Sequence, residues 1–204
     1  MNKFILKFSL ITLLIVIVLR PLQAQDTEAP ITDYSPFSIS VNPSYFLLGG
    51  YSVKGFYILP KRWSFGIAAE ASFELPTFAR DQFFDNNDDI TVDWDYLVGV
   101  EARYRFNDAA LDKGLFIQAG LGYEGWTIIA DDGAEDQFDN WYGSLGVGYI
   151  LYPFKKKHFH VGGNYNVVFI LNNTEERLVG ESSYNIRPVV PPSFLPTLFV
   201  GWRF

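Results

Sequence analysis

The chain has no cysteine and one methionine, the initiator, among 204 residues. Without cysteine no disulfide framework can stabilise an exported fold. A lipoprotein, which is lipidated on a cysteine following its leader, is excluded as well. Basic residues are few: 16 Lys and Arg stand against 23 Asp and Glu, a net charge of −7. Such a surface disfavours nucleic acid as a partner. Only one long apolar run is present. It spans Phe8 to Leu19 and is interrupted by Ser9 and Thr12. No later run reaches the 18 or more apolar residues of a spanning helix.

That single run has the anatomy of an export signal. Lys3 and Lys7 precede it, and Arg20, Pro21, Leu22, Gln23 and Ala24 follow it. The run is too short to cross a bilayer as a helix, which takes about 20 residues. Residues 1–24 are therefore read as a signal peptide cleaved after Ala24. Cleavage removes three basic residues and no acidic one, leaving 180 residues with a net charge of −10. Residues 25–36 are expected to be an N-terminal periplasmic segment, and 37–204 one domain.

What is abundant is aromatic side chains, 18% of the chain, together with alternation at period two. Residues 158–172 place Phe159, Val161, Tyr165, Val167, Phe169 and Leu171 on one face, and His158, His160, Gly162, Asn164, Asn166 and Asn172 on the other. The same pattern recurs over 37–47, 51–59, 63–75, 93–106, 115–127, 141–151 and 194–204. Eight strands of about ten residues follow, the length a tilted strand needs to cross a bilayer. Pro43 interrupts the first, and Gly49-Gly50 is expected to turn the chain into the second. In the strand at 93–106, Trp94 is assigned to the apolar face and Asp93 and Asp95 to the polar one. Connections are short near residues 60–62, 107–113 and 153–157. They are longer at 76–92 and 173–192, and intermediate at 129–139. The fold class expected is all-β: a closed antiparallel up-and-down transmembrane barrel of eight strands.

A soluble barrel would hold its apolar face inside. The polar face argues otherwise, because it carries Lys54, Glu70, Glu74, Glu101, Arg103, Glu124 and Arg203 among many glycines. Small residues and compensating charges suit the crowded interior of an eight-stranded barrel. The apolar faces would then meet hydrocarbon, with Trp63, Trp94, Tyr104, Trp141 and Trp202 near their ends as aromatic girdles.

The last strand, with Leu198, Val200, Trp202 and Phe204 at alternate positions, resembles the C-terminal signal of outer-membrane barrels. Residues 49–73, GGYSVKGFYILPKRWSFGIAAEASF, are similar to the second and third strands of small OmpX/OmpA-like barrels of Gram-negative bacteria. The resemblance implies a cell outer membrane location. It also implies that Val200, Trp202 and Phe204 are read by the barrel-assembly machinery, and that outer-membrane lipid and lipopolysaccharide are the surroundings.

Three groups of residues could carry function. The inward charges form either a plug of ion pairs or a narrow ion path; buried charges are tolerated only when paired. The acidic loops hold Asp85, Asp88, Asp89, Asp131, Asp132 and Asp136, oxygen ligands of the kind that divalent cations select, although neither loop has EF-hand spacing. His158 and His160 are the only histidines. A lipid-modifying hydrolase would need a serine and an acid beside one of them, and no serine is near in sequence. The expectation is a non-enzymatic, monomeric surface barrel without a cofactor. A lipid A-modifying enzyme and a small-solute channel are the alternatives.

Overall fold

The computed structural model describes residues 35–71, 73–85, 89–107, 113–154, 156–191 and 197–204. The expected leader, the segment following it as far as residue 34, and Asp88 lie outside the described residues. Eight strands form the wall: β1 (Phe37–Val41), β2 (Tyr51–Ile58), β3 (Trp63–Ala71), β4 (Ile90–Arg105), β5 (Gly114–Ala130), β6 (Glu135–Leu151), β7 (Phe159–Ile170) and β8 (Thr197–Arg203). Each pairs antiparallel with the next. The last returns to the first through Ile39↔Trp202 and Val41↔Val200. The sheet is a closed antiparallel eight-stranded barrel, so its wall strands have no open edge.

The three short connections lie at one end, which we call the turn end. The entry to β1 and the exit from β8 meet there: Ser35 N–H donates to the Phe204 carbonyl at 3.1 Å. At the opposite, loop end, the first strand is shorter than its sequence pattern. It stops at Val41 because Asn42 caps helix α1 (Pro43–Leu47), its Oδ1 accepting from Ser44 N–H at 3.0 Å. Pro43 occupies the first helical turn, where no backbone donor is needed. Tyr45 consequently enters the barrel mouth, within 5.1 Å of the Phe73 ring.

The wall is uneven in height. Strands β4, β5 and β6 run for 16, 17 and 17 residues, whereas β2 has 8. A bilayer needs about ten residues of a tilted strand. The excess, about seven residues or ~23 Å at 3.3 Å per residue, projects beyond the apolar belt.

In the lower half the apolar side chains face outward. Ile67, Val100, Leu115, Ile117, Leu121, Leu145 and Val147 are exposed, while Ser52, Glu70, Arg103 and Gln118 are buried. In the projecting half the polarity is reversed. Val92, Trp126 and Ile128 are buried inside, and Glu135, Gln137 and Asp139 are exposed outside. Strand β5 makes the change without altering its alternation: its even residues face inward throughout, but Gln118 and Glu124 give way to Trp126, Ile128 and Ala130. Strand β4 makes it through a bulge between Trp94 and Tyr96. The extra residue shifts the faces by one. Trp94 therefore points inward rather than to a lipid-facing girdle, and Asp95 points out. Simple alternation across residues 93–106 could not anticipate this.

The long loops fill the projecting mouth. Helix α2 (Thr77–Phe83) leads into a two-residue strand, Phe84–Asp85. This strand pairs with Ser182–Ile186, itself hairpinned to Arg177–Val179. Phe84, Val179, Tyr184, Ile186 and Val190 pack with Ile90, Val92, Trp126 and Ile128 in one buried cluster. The upper barrel is thus a water-type core closed by its own loops. Trp126→Ala should cost about 3–5 kcal/mol, the usual loss for a truncated core aromatic. Leu145→Ala, on the outer face of the belt, should cost much less. Unfolding of both variants in denaturant, followed by gel migration of the folded form, measures the difference.

Candidate functional site

Two regions could carry function: the charged lumen and the acidic cap. In the lumen, Lys54 Nζ lies 2.6 Å from Glu101 Oε1 and 3.1 Å from Glu70 Oε1. Ser52 Oγ donates to the same Glu70 oxygen at 2.9 Å. Arg103 Nη2 reaches Glu101 Oε2 at 3.2 Å. The four charged residues, Lys54, Glu70, Glu101 and Arg103, come from β2, β3 and β4 and carry two positive and two negative charges, so the cluster is neutral. Arg103 is further held by rings. Its guanidinium carbon sits 3.9 Å from the Phe56 centroid and 5.1 Å from those of Phe116 and Phe199. Desolvated cation–π contacts of this kind contribute about 2 kcal/mol.

The glycines that the sequence places on the polar face make room for these groups. A Cβ at Gly122 would collide with the Tyr142 ring, and one at Gly148 with Phe116. What remains empty beside Ser40, Ser52, Lys54, Arg103 and Asn164 is about 10 Å³, no more than one water needs.

The other lumen residues lie apart from this quartet. Arg203 is buried at the turn end, where its Nε donates to the Ser35 carbonyl at 2.7 Å. Glu124 is buried higher up, next to the parallel Trp94 and Trp126 rings, whose centroids are 5.3 Å apart. Glu74 is not in the lumen. It is exposed on the two-residue strand Phe73–Glu74, opposite Asp93. Glu70 and Phe73 are both buried although they stand three residues apart, so the inward face changes between them and counting in twos carries Glu74 to the wrong place.

In the cap, the acidic residues serve the loops one by one. Asp136 accepts from Arg177 Nε and Nη2 at 2.8 and 3.0 Å and from the Tyr184 hydroxyl at 2.6 Å. Asp85 pairs with Arg187 at 2.6 Å. Asp132 accepts from the backbone N–H groups of Ala134 and Glu181. Asp89 and Asp131 are exposed and meet through a backbone hydrogen bond of 3.2 Å. Among the described residues no three His, Asp or Glu side chains gather as a metal-binding group. Sequence reasoning could count these carboxylates but could not pair them, because Arg177 and Arg187 come from a loop more than forty residues away from Asp136 and a hundred from Asp85.

Hydrogen bonds from Arg177 hold the Asp136 carboxyl below its ordinary range, against an opposing effect of burial; the Tyr184 hydroxyl adds to the lowering.

His158 and His160 stand at the turn end. His158 stacks on Trp202 at 5.6 Å, and its Nδ1 lies 2.8 Å from the Arg203 carbonyl. His160 is buried between the rings of Tyr152 and Phe199. Both histidines are thus engaged by aromatic rings, and His158 by the closing strand as well.

Comparison with known proteins finds likeness only at the level of solved structures. No family model and no curated protein sequence matches the chain. Neisserial surface protein A (NspA) superposes with a TM-score of 0.49 at 13% identity, over 85% of this chain and 100% of NspA. Ail, the attachment invasion locus protein of Yersinia pestis, superposes with a TM-score of 0.39 at 15% identity, over 82% of this chain and 94% of Ail. That Ail structure contains the heparin analogue sucrose octasulfate.

Two predictions follow from the charges. Lys54→Met leaves Glu70 and Glu101 short of their shared cation and should destabilise the barrel by about 3–5 kcal/mol, the usual result of removing one partner of a buried pair; urea titration of the folded gel band measures it. For Asp136 the folded pKa is depressed, so its contribution is present above the ordinary carboxylate value of 3.8 and is lost as pH falls through the lower folded value. Asp136→Asn should remove about 1–2 kcal/mol from docking of the hairpin at neutral pH. Faster proteolytic cleavage at residues 173–187 with an intact barrel is the expected readout.

Proposed function

We propose that this chain is an integral outer-membrane surface protein. Its belt sits in the bilayer with the turn end toward the periplasm, and its closed, acidic cap projects outward. The observation that carries this reading is the change of polarity along β4, β5 and β6. An exposed apolar belt below and an exposed polar wall above fit one molecule standing in hydrocarbon and water. Surface interaction, rather than transport, is favoured by the two successive fillings of the interior: the neutral charge cluster below and the apolar loop core above.

Within this reading Val200, Trp202 and Phe204 serve as the signal for the barrel-assembly machinery. Trp202 and Phe204 are exposed on the outer face of the closing strand, and Val200 is half-buried beside them. Lipid and lipopolysaccharide surround the belt, and the protein works as a monomer. Neither histidine is placed for lipid hydrolysis: His160 is enclosed by rings and His158 is engaged with the Trp202 ring. Planar-bilayer recording of the purified protein should give no discrete conductance. Reproducible single-channel steps would defeat the plugged-barrel reading and favour a small-solute channel.

A further inference from the structure

The turn end has the opposite charge character to the cap. Segments 59–62, 106–113 and 152–158 hold six basic residues against two acidic ones, Asp108 and Asp112. Among the described residues, every short turn contributes a cation: Lys61 and Arg62 on the first, Lys113 on the second, Lys156 and Lys157 on the third. Lys61, Lys113 and Lys156 are exposed.

These cations sit beside an aromatic rim. Trp63, Phe106, Phe154 and Trp202 are each about half exposed, at 46, 52, 59 and 50%. Such a rim marks the depth where hydrocarbon gives way to headgroups. Lys61 and Arg62 precede Trp63 by two and one residues, and Lys156 and Lys157 follow Phe154 by two and three. Arg62 is tied to the rim itself: its Nη1 donates to the Tyr104 hydroxyl at 2.7 Å, and its guanidinium carbon lies 5.8 Å from that ring's centroid. A planar donor group is thus held at the level of lipid phosphates, where guanidinium groups bind strongly.

We propose that the basic residues of the three short turns form a collar that binds the phosphates of anionic glycerophospholipids in the leaflet facing the turn end. The collar sets the depth and direction of the barrel in its membrane, while the acidic cap is repelled by the same headgroups. This inference rests on the bilayer placement proposed above. Each lysine or arginine near an anionic surface strengthens attraction several-fold, and salt weakens it.

The test uses the full-length chain refolded in vesicles in which phosphatidylcholine or phosphatidylglycerol carries brominated acyl chains. Trp63 and Trp202 at the rim report contact by fluorescence quenching. The wild type should select phosphatidylglycerol over phosphatidylcholine by about fivefold at low salt, and the ratio should fall toward one in 1 M salt. Combined Lys61→Gln, Arg62→Gln, Lys156→Gln and Lys157→Gln substitution should bring it close to one, whereas Glu181→Gln in the cap should leave it unchanged. Should the fourfold variant not insert, Lys61→Gln and Lys156→Gln singly should each lower the ratio part of the way. A wild-type ratio of one, or an unchanged ratio in the collar variants, overturns the collar. If neither brominated lipid quenches the rim tryptophans, it is the membrane placement itself that fails.

Discussion

One continuous strand cannot keep the same face in contact with two solvents. This constraint governs the whole molecule. In hydrocarbon the backbone must be paired around a closed wall, and outward side chains must be apolar. In water the same outward positions must be polar, and the apolar residues must find an interior. Strands β4, β5 and β6 cross from one regime to the other near Glu124 and Trp126. Every larger feature follows from that crossing: the charged lumen below, the loop-filled core above, and an acidic exterior on the projecting wall.

The crossing is built from two different devices. In β5 the composition of the inward face changes while its geometry does not. In β4 the geometry changes, since the bulge after Trp94 moves a whole set of side chains to the other face. The result on both strands is an inward tryptophan at the same level, and the two rings stack in parallel over the charged half of the lumen. Below them, Lys54, Glu70, Glu101 and Arg103 neutralise one another in a space that small residues such as Gly122 and Gly148 leave for rings. A neutral, close-packed filling is what makes buried charge tolerable in an eight-stranded barrel.

The lower half was legible in the sequence because its signal is strict alternation. Phe199 facing in and Trp202 facing out, or Gln118 buried and Ile117 exposed, follow from counting in twos once the last strand is aligned. The upper half was hidden because its code is reversed and its partners are remote. Trp94 was misassigned through a one-residue bulge that leaves no mark on composition. Glu74 was misassigned because the inward face changes between Glu70 and Phe73. The helix at Pro43 to Leu47 was obscured by apolar residues that also fit a strand, although Asn42 followed by Pro43 carries a capping signal. The acidic loops read as cation ligands until Arg177 and Arg187 were placed beside Asp136 and Asp85.

The absence of native cysteine makes the central claim directly measurable. Single cysteines at the outward, exposed positions of β6, at residues 135, 137, 139, 145, 147 and 149, can each carry a nitroxide label in vesicles. Collision rates with oxygen, which concentrates in hydrocarbon, and with a water-soluble nickel complex report the solvent at each site. The account predicts oxygen-dominated labels from Leu145 to Tyr149 and nickel-dominated labels at Glu135, Gln137 and Asp139. A single regime along the whole strand, or the reverse order, would contradict it.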